Sequence, residues 1–184
     1  MEHREIGAVG RRSSIKKMRI AGASLTAVLA LLVASPAMAQ NTFLVFNGGI
    51  GVIPVSSAGS GGGAVANVVQ GILPPGEPWV IRALAAVVSN GQIHVAGNGL
   101  LLAGGNGIGT NGGQKVFATL VCETTVSSTP IAKAVALAAN GDFTIDDVLS
   151  PTPSGSCANP VLLIRSATVT NNPWFAAGIP ALIP

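Results

Sequence analysis

Val135-Ala136-Leu137-Ala138-Ala139-Asn140-Gly141-Asp142-Phe143-Thr144-Ile145-Asp146-Asp147-Val148 is the stretch from which the fold can be read. After Asn140-Gly141, the apolar Phe143 and Ile145 alternate with Asp142, Thr144 and Asp146, the period of two that a half-buried strand requires. Before it, Val135 and Leu137 alternate in the same way. Asn-Gly supplies two left-handed positions in succession, so the pair predicts a type I′ hairpin turn. The stretch reads as a hairpin with one side toward a core and its carboxylates toward water.

The same grammar extends in both directions. Asn90-Gly91 lies between Trp79–Val88 and Gln92-Ile93-His94-Val95, which again alternates. Short apolar runs follow one another: Thr42–Phe46, Trp79–Val88, Gln92–Val95, Leu100–Leu102, Lys115–Cys122, Ile131–Ala138, Asp142–Val148, Val161–Ala167 and Trp174–Ile179. Between them stand clusters of Gly, Pro, Asn and Ser. This predicts an all-β protein, a single small β-sandwich of about seven to nine short strands. One segment carries a different period. Val65, Val68, Val69 and Ile72 fall at i, i+3, i+4, i+7, which predicts a short helix near 64–72, ended by Gly71 and Pro74-Pro75. A strand is the alternative for the same four residues.

The amino-terminal end has another composition. Arg11, Arg12, Lys16, Lys17 and Arg19 precede an apolar run from Ile20 to Val33, then Ser35-Pro36 and the small-residue sequence Ala37-Met38-Ala39. That order predicts a secretory signal peptide over 1–39, with Met18 as an alternative start, cleaved between Ala39 and Gln40. The run is shorter than the roughly 20 apolar residues of a spanning helix. No transmembrane anchor is expected after cleavage. The expected product is a single domain, 40–184, in the periplasm or secreted, and the style of the leader points to a bacterial source.

Removing the leader reverses the electrostatics. The whole chain has a formal net charge of +3. Residues 40–184 hold Arg82, Lys115, Lys133 and Arg165 against Glu77, Glu123, Asp142, Asp146 and Asp147, a net of −1. The basic character belongs to targeting, which excludes the basic stripe that nucleic-acid binding needs. So sparse a charge leaves a neutral polar surface that repels its neighbours weakly, and self-association is expected. Cys122 and Cys157, the two cysteines of the chain, are expected to form a disulfide in an oxidising compartment. Closing that loop contributes roughly 4 kcal/mol.

Chemistry-bearing residues are few. His94 is the one histidine after the leader, so neither a zinc site nor any other histidine-based metal centre can be assembled at usual spacings, and no cofactor is expected. A Ser-His-Asp arrangement would use His94 with an aspartate, but no Gly-x-Ser-x-Gly elbow selects a nucleophile. Asp146 and Asp147, adjacent on a strand, point to opposite faces. Asp142 and Asp146 share a face but stand about 13 Å apart by strand rise, beyond glycosidase carboxylate spacing. Gly59-Ser60-Gly61-Gly62-Gly63-Ala64 has the glycine spacing of a dinucleotide-binding turn, but Pro54 interrupts the strand that should precede it. Gly104–Gly109 lacks the aspartate of calcium-binding repeats; the loop Gly104–Gly113 is expected to be a rim with left-handed positions. Trp79 and Trp174 are either core or a stacking platform for an envelope polysaccharide.

The ending Asn-Gly-Asp-Phe-Thr-Ile-Asp-Asp-Val of Val135–Val148 resembles the hairpin of prealbumin-like and carboxypeptidase-regulatory-like sandwiches. The resemblance covers a small part of the chain and implies the sandwich alone. The sequence thus predicts an exported, non-catalytic structural or binding module of the bacterial envelope or extracellular space. The alternatives are a secreted hydrolase of an envelope polymer and a carbohydrate-binding module. His94, Asp142, Asp146, Trp79 and Trp174 are the candidate functional residues.

Overall fold

Residues 42–57, 64–123, 125–153 and 155–181 are described by the structure, a computed structural model. The expected leader, 1–39, and its junction at Ala39 and Gln40 lie outside the described residues, as does most of the glycine-rich Gly59–Ala64. The strands are β1 (Phe43–Gly51), β2 (Val55–Ser57), β3 (Ala64–Ala66), β4 (Trp79–Val80), β5 (Ala83–Ser89), β6 (Gln92–Asn98) and β7 (Leu101–Leu102). They continue as β8 (Lys115–Cys122), β9 (Thr125–Ser128), β10 (Val135–Ala136), β11 (Phe143–Val148), β12 (Val161–Ser166) and β13 (Trp174–Pro180). The fold is all-β, with a single 3-10 turn at Ile131–Lys133 among the described residues.

Nine strands join in one antiparallel sheet of order β10-β8-β12-β13-β1-β5-β6-β11, with β9 also paired to β8. Its two ends meet. Ser128, at the end of β9, exchanges both backbone hydrogen bonds with Ser150 beyond β11 (3.0 and 2.9 Å). The sheet is therefore almost closed into a sandwich-like barrel, which removes most of its free edge. Alternation decides what fills it. β5 buries Leu84, Ala86 and Val88, β6 buries Ile93 and Val95, and β11 buries Phe143 and Ile145. Phe46, Leu120, Leu162 and Ile164 meet them from other strands in the same core. Opposite Phe143 the sheet needs a glycine, because a Cβ at Gly97 would stand 2.2 Å from the phenyl ring.

Asn90-Gly91 forms the expected type I′ turn, with φ of 50° and 80°. Asn140-Gly141 does not. Only Gly141 of that pair is left-handed (φ 80°). Ala138 O accepts from Gly141 N at 2.8 Å and Ala138 N donates to Asp142 O at 2.9 Å, the pattern of a type I turn followed by a glycine bulge. The preceding limb then leaves its expected partner: β10 pairs with β8, while β11 pairs with β6. The turn is a corner of the barrel, where the chain crosses from one end of the sheet to the other.

The helix expected near 64–72 is absent. Ala64–Ala66 is β3, paired with β2. Val69 and Ile72 then form a bridge around Gln70 (φ 49°) and Gly71 (φ 78°). β-Branched side chains favour extended backbone, and Gly71 serves a tight turn instead of a helix terminus. Of the four periodic residues only Ile72 is buried, so no common face existed to stabilise a helix. Ile131–Ala138 likewise opens with the 3-10 turn and is strand only at β10. Cys122 and Cys157 are joined, with Cα atoms 4.9 Å apart.

Candidate functional site

The outer face of β5, β6 and β11 carries the side chains that their alternation turns away from the core. The type I′ turn at Asn90-Gly91 sets the register: Ser89 opposes Gln92, and Val87 opposes His94. β11 continues each row, with Asp146 beside His94 and Val148 beside Gln92. Val45 of β1 extends the His94 row on the other side through Val87. Directly opposed side chains on one face lie about 4.5–5.5 Å apart at Cβ, so the row Val45–Val87–His94–Asp146 is contiguous.

Within that row His94 Nδ1 is hydrogen-bonded to Asp146 Oδ1. Both side chains are well exposed, at 56% and 68%. A carboxylate only accepts, so the shared hydrogen belongs to Nδ1, and Nε2 is the ring nitrogen directed away from the pair. A groove of about 490 Å³ runs along this pair, lined by Val87, Ser89, Gln92, His94, Asp146 and Val148 among others. A second hollow of about 260 Å³ adjoins it on the other side of His94, where Ala85 and Ala96 leave the face low. The site therefore offers a ring nitrogen at His94, a carboxylate acceptor at Asp146, a hydroxyl and an amide at Ser89 and Gln92, and apolar walls at Val87 and Val148.

The remaining candidates stand elsewhere. Asp142 is held by the barrel corner: Gly99 N donates to its Oδ1 at 2.9 Å and Asn140 Nδ2 to its Oδ2 at 2.7 Å. The Gly99 amide above all keeps its carboxyl below the ordinary aspartate range, with Asn98, Asn140 and Arg82 acting in the same sense. Asp147 borders the His94 groove, but its carboxylate is turned away from Asp146, as strand geometry requires. It accepts from Val148 N at 2.8 Å and from Lys133 Nζ at 3.0 Å, and the Val148 amide is the first cause of its lowered pKa. Both aspartates are structural ties. Arg165 is one too, its Nε donating to Asn172 O at 2.8 Å and its guanidinium 5.1 Å from the Phe117 ring centre.

Trp79 and Trp174 do not form a stacking platform. Trp79 is buried and stacked on Phe175, with ring centres 4.1 Å apart. Trp174 is buried and donates from Nε1 to Asn67 O at 3.0 Å. In a domain this poor in aromatics the rings serve the core. The Gly104–Gly113 loop folds back on β7, where Leu102 N donates to Thr110 O at 2.9 Å, and Asn111 Nδ2 donates to Leu137 O at 2.9 Å. It borders a separate hollow of about 260 Å³ beside Glu77, Trp79 and Gln114, which shares no residue with the His94 groove.

The structure thus brings together His94 and Asp146 and separates them from Asp142, the two tryptophans and the glycine loop. It adds Val87, Ser89 and Gln92, which sequence reasoning missed. Counting outward from Asn90-Gly91 would have found them, because a two-residue turn fixes the pairing on both sides. Among the described residues, no group of three or more His, Cys, Asp or Glu is placed to hold a metal ion. Compared with family models, curated proteins and solved structures, the chain matches none.

Proposed function

We propose that the protein is an exported, non-catalytic binding module whose ligand seats in the groove on the outer face of β5, β6 and β11. The observation that carries this reading is the His94–Asp146 pair. Exposed polar side-chain pairs contribute little to stability, so the fold does not need this one, yet both of its residues line the groove. Its chemistry fits a neutral, hydroxyl-rich chain such as an envelope polysaccharide. Sugar hydroxyls would hydrogen-bond with Nε2 of His94 and donate to Asp146, and the apolar edge of a ring would rest on Val87 and Val148. Export to the periplasm or beyond is supported by the leader-like residues 1–39 and by the disulfide, which persists in oxidising compartments. No described helix is long and apolar enough to cross a membrane.

Titration of isotopically labelled protein with cello-, chito- and malto-oligosaccharides tests the ligand. Chemical-shift changes confined to residues 87–94 and 146–148, and abolished in His94→Ala, are expected. No change on this face at millimolar sugar across the panel rejects a polysaccharide ligand. A protein recovered from its host with residues 18–39 still attached rejects export by cleavage.

One observation favours the alternative of a secreted hydrolase. Ser89 lines the groove with His94, whose Nδ1 is held by a carboxylate as in an activated serine arrangement. Turnover of a chromogenic acetyl ester, lost equally in Ser89→Ala and His94→Ala, selects this reading. Equal rates in parent and variants reject it.

A further inference from the structure

From Phe43 to Gly76 the chain holds no charged residue; Glu77 is the first. The same stretch builds a two-stranded arm beside the barrel, in which β2 and β3 pair only with each other. Ile50, Ile53, Val55, Val65 and Val68 are all exposed there, Ile53 to 66%. The segments that carry them lie side by side and are tied to one another and to β4. Asn67 N donates to Pro54 O and Trp79 N to Val52 O, both at 2.9 Å. Asn67 Nδ2 also donates to Ile53 O at 3.1 Å. Val55 and Val65 belong to different rows of the β2–β3 register, so apolar side chains project on both faces of the arm.

We propose that this arm is the contact surface of a homodimer, two copies pairing arm to arm about a two-fold axis. Three properties choose a second copy over other partners. A two-stranded sheet is marginal alone, and each strand keeps an edge that the rest of the sheet does not use, which is what an antiparallel neighbour completes. A patch without charge offers nothing to an acidic or basic partner, whereas an identical patch is its complement by symmetry. A lipid surface is recognised by exposed Trp or Tyr and by Lys or Arg. Here both tryptophans are buried, the chain has no tyrosine, and the arm has no cation. The net of −1 over residues 40–184 opposes association only weakly. The surface is separate from the His94 groove, so dimer formation and ligand binding fail or succeed independently.

Sedimentation of the purified protein over concentrations reaching the millimolar range tests the proposal, together with amide exchange at low and high concentration. A monomer–dimer equilibrium is expected, with amides of β2 and β3 slowing as concentration rises. Val55→Lys and Val65→Lys are expected to weaken the dimer by about a hundredfold or more, since the axis brings like charges together. Both positions are exposed, and an unchanged thermal midpoint is the check that the variants fold. A monomer throughout overturns the proposal. So does a dimer that both lysine variants leave intact, or arm amides whose exchange is independent of concentration.

Discussion

At Gly141 two demands coincide. Its φ of 80° is a left-handed conformation, and a Cβ there would lie 2.6 Å from both the amide and the carbonyl of Leu100. Gly141→Ala is therefore expected to cost more than the roughly 1 kcal/mol of a strained backbone alone, measured by chemical denaturation. His94→Ala is expected to leave stability within about 0.5 kcal/mol of the parent while abolishing binding in the groove. Asp142 and Asp147 set the acid limit. Their folded pKa values are lowered, so the stability they contribute is complete above the ordinary aspartate range, around pH 4, and is lost as the pH falls through the lowered folded values. Thermal midpoints measured from neutral pH downward should decline below about pH 4. The decline should be shallower in Asp142→Asn and Asp147→Asn.

Among the elements, β11 ties the barrel together. One edge pairs with β6 through six residues, Phe143 to Val148. On the other side the wall is joined at Ala138–Asp142 and at Ser128–Ser150, and Lys133 reaches Asp147 between them. Phe143→Ala is expected to destabilise by about 3–5 kcal/mol, since it empties the space that Gly97 leaves for the ring. Lys133→Ala is expected to speed amide exchange at Thr144 and Asp146 without unfolding the remainder. Alternation along β11 was legible in sequence because a strand's two faces are set by its own residues. Its partner was not, because the corner at Gly141 hands β10 to β8.

For the molecule as a whole, the disulfide joins the end of β8 to the segment before β12, 35 residues apart. Reduction is expected to lower stability by roughly 4 kcal/mol, seen as an earlier denaturant midpoint in reducing buffer. That segment also closes one end of the barrel, where Thr42 Oγ1 donates to Pro153 O at 3.4 Å. The site lies on the outer wall near this end, whereas Asp142 and the glycine loop lie at the other.

Read alone, the sequence determined the all-β character, most strand positions and the type I′ turn at Asn90-Gly91, and it picked out both cysteines. These follow from interactions within a few residues: alternation, turn chemistry and the scarcity of other groups. Only the tertiary structure decided that Asp146, of three aspartates, meets His94, that Trp79 and Trp174 are buried, and that 64–72 forms a short strand and a tight turn instead of a helix. His94 and Asp146 are 52 residues apart, and their meeting depends on which strand lies beside β6. That choice is made by closure of the whole sheet, where many weak contacts act at once and no local pattern records the outcome.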